Sequence, residues 1–220
     1  MNAKIINPDN TFATSDHHFY HNNVIRYCAR PFATVEEMNE KMIAAWNNRV
    51  PHDAIVYYLG DFSMAFRSVE VFTKRLNGTK ILIPGNHDFC HPAHKKSRNE
   101  DNRKIWTQKY IDNGFSEVHL TAELEIPGVA NVNVNHLPYL ETHPGGQDLR
   151  HSKFRPNDDG RWLLCGHVHE KWAQRGKMIN VGVDVRNFTP ITFTEISALI
   201  LANPNGFPKP MSNQVPSEDY

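Results

Sequence analysis

Lys80-Ile81-Leu82-Ile83-Pro84-Gly85-Asn86-His87-Asp88 runs from a short apolar strand straight into a turn made of metal-ligand chemistry. The same grammar recurs elsewhere. The extended segment Thr11 to Thr14 runs into Ser15-Asp16-His17-His18, and the continuous apolar run Ala54 to Leu59 ends in Gly60-Asp61. Val129 to Asn135 delivers His136, and Trp162 to Cys165 ends in Gly166-His167-Val168-His169. The unbroken apolar run at 54–59 marks a strand buried on both faces. In layered α/β folds, the loops beyond the carboxyl ends of such strands converge on one crevice. Glycine ahead of the functional residue, at 60, 85 and 166, lets the backbone turn sharply and approach a ligand closely.

The segments between these strands read as helices and hairpins. Thr34 with Glu37 predicts a capping box. Val35, Met38, Met42, Ile43 and Trp46 then recur at helical spacing, giving a helix to Arg49. Ser68 to Leu76 reads as a short helix stopped at Asn77-Gly78, and Arg103 to Asn113 as another, stopped at Gly114. Cys90 to Asn102 reads as a surface loop, with Lys95, Lys96 and Arg98 as a solvated rim. Val118 to Ile126 and Val129 to Asn135 flank a Pro127-Gly128 turn, a hairpin pattern. Lys177 to Val185 and Ile191 to Thr194 predict strands, and Glu195 to Ala202 a short helix. An α/β first half followed by a β-rich second half predicts one α/β domain over residues 1–202, a two-sheet layered sandwich flanked by helices. Residues 203–220, which carry four prolines, read as an irregular tail.

Composition narrows the function classes. Lys plus Arg equals Asp plus Glu, 24 against 24, so no overall field draws the chain to nucleic acid or an anionic membrane. No stretch reaches the roughly 18 apolar residues of a membrane span, and no apolar signal region opens the chain. Cys28, Cys90 and Cys165 are odd in number and lack paired metal spacing, which predicts reduced thiols and a cytoplasmic protein. Thirteen histidines are clustered rather than spread. Affinity for an anion must therefore be local.

The strand-end groups contain Asp, Asn and His but no Cys, a donor set suited to zinc, manganese, iron or nickel. Four ligands saturate a structural zinc. Asp16, His18, Asp61, Asn86, His136, His167 and His169 are seven, enough for two divalent ions sharing a carboxylate. Such pairs recur in phosphatases and nucleases. Two ions bring four positive charges against two from Asp16 and Asp61, so the site stays cationic and suits a phosphate.

In order along the chain, Asp-x-His, Gly-Asp, Gly-Asn-His-Asp, a lone His and Gly-His-x-His resemble the calcineurin-like metallophosphoesterase family over residues 16 to 169. Asn180-Val181-Gly182-Val183-Asp184 with Pro190, and the early His21, Asn23, Ile25, Arg30 and Pro31, are similar to its small bacterial and phage members. The resemblance implies that Asp16, His18 and His169 hold one metal, that Asn86, His136 and His167 hold the other, and that Asp61 bridges them. It implies two ions, manganese first with iron, zinc or nickel as alternatives, and a metal-bridging hydroxide as nucleophile. His87 would be the proton donor, with Asp88 orienting its ring. One departure stands out: many members continue as Gly-Asp-x-x-Asp, where this chain has Gly60-Asp61-Phe62-Ser63-Met64.

Around this core, His21 and Arg30 are candidates to bind the substrate phosphate, with Arg30 equally suited to brace a helix. His17 is a weaker candidate, and Asp184 reads as structural. His143, Arg150, His151 and Arg155 lie in an insertion between the fourth and fifth groups, where solvated loop charge is the default. The expected activity is hydrolysis of a small nucleotide or cyclic-nucleotide phosphodiester. The alternatives are a phosphomonoesterase, a nuclease and a non-catalytic scaffold. The missing basic stripe argues against long nucleic acid.

Overall fold

The computed structural model describes residues 3–140 and 151–208; His143 and Arg150 lie outside them, as do residues 209–220. Among the described residues, eleven strands and five α-helices form a layered α/β arrangement with two sheets. In chain order the strands are β1 (Lys4–Ile5), β2 (Thr11–Thr14), β3 (Ile55–Tyr58), β4 (Thr79–Leu82), β5 (Glu117–Val118) and β6 (Ala122–Ile126). Then follow β7 (Ala130–Val134), β8 (Trp162–Cys165), β9 (Gln174–Arg175), β10 (Met178–Asn180) and β11 (Ile191–Thr192). The helices are α1 (Asn22–Tyr27), α2 (Val35–Arg49), α3 (Val69–Thr73), α4 (Glu100–Asp112) and α5 (Phe193–Ala202). One sheet has the order β11-β2-β3-β4-β5, the other β1-β6-β7-β8-β10-β9.

The pleat explains the layers. Along β3, Val56 and Tyr58 face one way, into a core with Met38, Met42 and Trp46 of α2, Phe72 of α3 and Tyr110 of α4. Tyr57 and the following Leu59 face the other way, into a second core with Val132, Val134, Leu164 and Ile179 of the facing sheet. Alternate side chains of one strand thus serve two cores, which is why the run reads as continuously apolar. Phe193, Ile196 and Ile200 of α5 join the core between the sheets.

Within the first sheet β2, β3 and β4 run parallel in register, and within the second β7, β8 and β10 do. Every group singled out above therefore lies just past the carboxyl end of a parallel strand.

Several element boundaries differ from the sequence reading. The stretch 118–126, expected as one strand, is divided: β5 pairs with β4, whereas β6 crosses to the other sheet and forms the hairpin with β7. Helix α4 starts three residues earlier than expected, because the Asn99 side chain caps it by accepting from the Asn102 N–H. At α2, Thr34 accepts from the Glu37 N–H as predicted, but Glu37 returns its bond to the Ala33 N–H. The full box forms instead at α5, between Thr192 and Glu195. The strand expected over 177–185 ends at Asn180 and turns tightly at Val183–Val185. α1, invisible to periodicity at six residues, supplies one wall of the cleft described next.

Candidate metal centre

Two groups of side chains meet at the strand ends. The ligand atoms of Asp16, His18 and His169 lie within 4.8 Å of one another, and so do those of Asp61, His136 and His167. Asp61 joins the groups: its Oδ2 lies 3.6 Å from His18 Nε2 and 3.5 Å from His136 Nε2. Asn86 Oδ1 sits 3.2 Å from His136 Nε2, placing it with the second group. A third group, Cys28, His169 and Glu170, shares His169 with the first.

Two imidazoles are held with Nε2 inward. His136 donates from Nδ1 to the Leu59 carbonyl (2.6 Å), and His169 donates from Nδ1 to Asp184 Oδ2 (2.9 Å). A proton fixed on Nδ1 leaves the Nε2 lone pair for a cation, as the partners of metal-ligating histidines do. His18 is buried with neither ring nitrogen hydrogen-bonded among the described residues. An orphaned buried imidazole is costly without a partner. Several imidazole nitrogens stand 3.5–4.0 Å from one carboxylate oxygen, too far for hydrogen bonds. A cation set between them, with ligand bonds of roughly 2.0–2.2 Å, would satisfy both observations. The donor set fits divalent metal.

The backbone is forced at these positions. Asp16, His18, Asp61, His167 and His169 all have φ between 49° and 71°, the left-handed region that non-glycine residues rarely adopt. Each such residue costs on the order of 1–3 kcal/mol unless its surroundings impose it, and such outliers concentrate at functional sites. Close packing imposes it here. A Cβ on Gly166 would lie 2.4 Å from Asp16 Oδ2, and one on Gly85 2.2 Å from Asp61 Oδ1, so only glycine admits both carboxylates.

Burial dominates the electrostatics. It pushes the Asp16 carboxyl up from its usual range. For Asp61 burial acts the same way, but the charges of His136 and His87 outweigh it and hold the carboxyl low. Burial drives the His18 and His167 imidazoles far below the ordinary histidine value. His169 goes the other way: burial opposes its charge, yet the Asp184 hydrogen bond raises it well above that value.

The remaining residues fall into place with corrections. His87 stands at the cleft wall, its side chain 45% exposed, with Nε2 4.0 Å from Asp61 Oδ2. Asp88 does not orient it. Fully buried, Asp88 accepts from the Gly85, Asp61 and Phe62 backbone N–H groups and the Tyr110 hydroxyl, tying two ligand loops together. Burial and the Asp61 charge push its carboxyl up to about 6.

Arg30 lies beneath the centre rather than in the cleft. Its guanidinium is bidentate to Asp184 (2.7 and 2.9 Å) and donates to the Asp16 and His17 carbonyls. It is thus a brace, but of the Asp16–His17 loop and Asp184 rather than of a helix. His17 is buried among Phe19, Trp46 and Tyr58, its Nδ1 2.8 Å from the Tyr58 hydroxyl, and burial depresses it to about 3. His21 does line the cleft. Phe62 packs in the core. Asp184, more than a distant structural residue, connects Arg30 to His169. Its only sequence signal was its place after Asn180-Val181-Gly182.

The cleft is about 410 Å³, lined by His18, Asp61, Asn86, His87, His167 and His169 together with the apolar groups of Val24, Tyr27, Met64 and Val168. Cys28, Cys90 and Cys165 are buried, and none forms a disulfide among the described residues. No helix among the described residues is long and apolar enough to cross a membrane.

No family model matches the chain. It is 30% identical over 199 residues to the uncharacterized protein MJ1445 of Methanocaldococcus jannaschii, across 86% of this chain and 90% of the relative. It is also 30% identical over 190 residues to the gene 66 protein of Mycobacterium phage L5, across 80% and 86% of the two chains. The crystal structure of AQ665 from Aquifex aeolicus, a protein of unknown function, superposes with a TM-score of 0.61 at 23% identity. The match spans 86% of this chain and 98% of AQ665, a likeness of fold.

Proposed function

The chain belongs to the family of MJ1445 and the phage L5 gene 66 protein, and we propose that it is a metal-dependent phosphoester hydrolase acting on a small phosphodiester. One observation carries this reading: buried Asp61 stands between two His/Asp groups at the floor of an open, nucleotide-sized cleft. The order of the strand-end motifs, which resembles the calcineurin-like metallophosphoesterases, supports it, with manganese as the first candidate metal.

In this reading Asp16, His18 and His169 hold one ion, Asn86, His136 and His167 hold another, and Asp61 contributes to both. When bound, the ions supply Lewis-acid charge to the phosphoryl oxygens and lower the pKa of a water. The protein does the rest. Asp184 and the Leu59 carbonyl fix the His169 and His136 rings before substrate arrives, so no reorganisation is needed at the moment of reaction. His87, exposed at the cleft wall, gives a proton to the departing oxygen. His21, which also lines the cleft, contacts the substrate phosphate. The apolar lining groups Val24, Tyr27, Met64 and Val168 take the organic part of the ester.

Metal-stripped protein should not turn over bis(p-nitrophenyl) phosphate, and adding manganese should restore turnover. Full activity in excess chelator would end this reading. Faster turnover of p-nitrophenyl phosphate than of the diester would move the proposal to a phosphomonoesterase.

A further inference from the structure

Beside the cleft lies a second concavity of about 730 Å³ with a different character. Arg98, from the stretch after β4, Arg103, in the first turns of α4, and Lys153, from the turn at Ser152–Phe154, line it together. His151 lines both spaces, and its ring meets the edge of the His167 ring at 5.9 Å, so the groove continues directly from the candidate metal centre.

The recess gathers positive charge. Many other surface cations are matched to acids, among them Lys4 to Glu117, Lys41 to Glu37, Arg75 to Glu40, Lys74 to Glu70, Lys104 to Glu100 and Arg161 to Glu123 and Asp159, while Arg26, Arg67 and Lys109 stand singly among the described residues. Among the described residues, Arg98 and Arg103 have no ion pair, and Lys153 has only the Phe154 ring, 4.9 Å from its Nζ. Three cations without a contact ion pair thus meet in one recess of a chain whose formal net charge is zero. Arginine presents a planar fork that matches phosphate oxygens, and lysine adds a mobile point charge. A recess with this lining attracts a dianion over roughly 8–10 Å at moderate salt.

We propose that this groove is a second anion subsite, which takes a further phosphate of the substrate whose scissile phosphoester lies in the cleft. The inference rests on the cleft being a phosphoester site, and it narrows the substrate class to nucleotide-sized esters with two phosphoryl groups. Arg98, expected to be solvated rim, becomes a specificity residue.

The test uses the full chain loaded with manganese. Isothermal titration with thymidine 5′-monophosphate and thymidine 3′,5′-bisphosphate compares wild type with the triple variant Arg98→Ala, Arg103→Ala, Lys153→Ala. Wild type should bind the bisphosphate at least about tenfold more tightly, a modest sum for charge-assisted contacts at a wet surface. The variant should bring the two ligands within about threefold, leave monophosphate affinity unchanged and melt at the wild-type temperature. Equal affinities in wild type, an equal loss for both ligands in the variant, or no binding of either overturns the subsite. Turnover of bis(p-nitrophenyl) phosphate, measured in parallel, reports on the cleft alone. Metal-dependent turnover without bisphosphate preference removes only the subsite. Bisphosphate preference without turnover removes the esterase reading and leaves an anion-binding groove.

Discussion

Replacing Asp184 by Asn probes the link between the fold and the candidate centre. The carboxylate side chain is 2% exposed and faces a guanidinium that is itself buried. Its Oδ1 accepts from Arg30 Nε at 2.7 Å. Its Oδ2 accepts both from Arg30 Nη2 and from His169 Nδ1, each at 2.9 Å. An amide keeps the shape but replaces one acceptor by a donor. With nitrogen in place of Oδ2, two N–H groups lose their acceptor; in place of Oδ1, one does. Either way Arg30 is left as a buried charge without a counter-charge. Breaking a buried pair from one side costs about 3–5 kcal/mol. For a chain of this length each kcal/mol moves the melting temperature by about 2–4 °C. Metal-stripped Asp184→Asn should therefore melt at least about 6 °C below wild type in a calorimetric scan. Manganese affinity should fall about 10- to 100-fold, the usual cost of losing a partner that orients a ligand histidine. A variant that melts within 2 °C of wild type and binds manganese equally would refute the assignment of Asp184 as the brace of His169.

Three further outcomes follow from the same geometry. His87→Ala should lower kcat on an aryl diester by roughly 10²–10⁴ with metal content near the wild-type value; loss of metal on elemental analysis would make His87 a ligand. Gly166→Ala should abolish tight metal binding and lower the melting temperature, since the added carbon meets Ser15 Oγ at 2.1 Å and Asp16 Oδ2 at 2.4 Å; a variant with wild-type metal affinity would show that the loop relaxes freely. Acid should destabilise the metal-free protein. Burial holds His17 and His91 at about 3, against 6.5 ordinarily, so the unfolded chain takes protons first, and stability falls as pH drops from about 6.5 towards 3. Between pH 7 and 5 that amounts to about 2 kcal/mol for each histidine. Asp88, held near 6, opposes this by about 1.4 kcal/mol, because protonation relieves its buried charge. A net loss of at least about 2 kcal/mol is expected in urea titrations, and equal stability at the two pH values would contradict it.

The apolar runs at 54–59, 81–83 and 162–165 determined their own strands, because residues that serve cores on both sides of a sheet admit no polar interruption. Thr34 likewise determined the start of α2, a cap made within four residues. The donor types beyond each strand, and their number, were legible as metal chemistry because ligand preference belongs to the side chain and not to its surroundings. Roles set by partners distant in the chain were not legible. Arg30 and Asp184 are separated by 154 residues and meet only after folding. Asp88 stands next to His87 in the chain, yet its carboxylate turns away from that ring towards Asp61, Phe62 and Tyr110. The left-handed backbone at Asp16, His18, Asp61, His167 and His169 contradicts local preference, and close packing of the strand-end loops imposes it. The division of 118–126 between two sheets has the same origin, since adjacent residues obey whichever strand lies beside them. Local chemistry is written in the chain; which groups face one another depends on long-range packing, and the tertiary structure alone decided it.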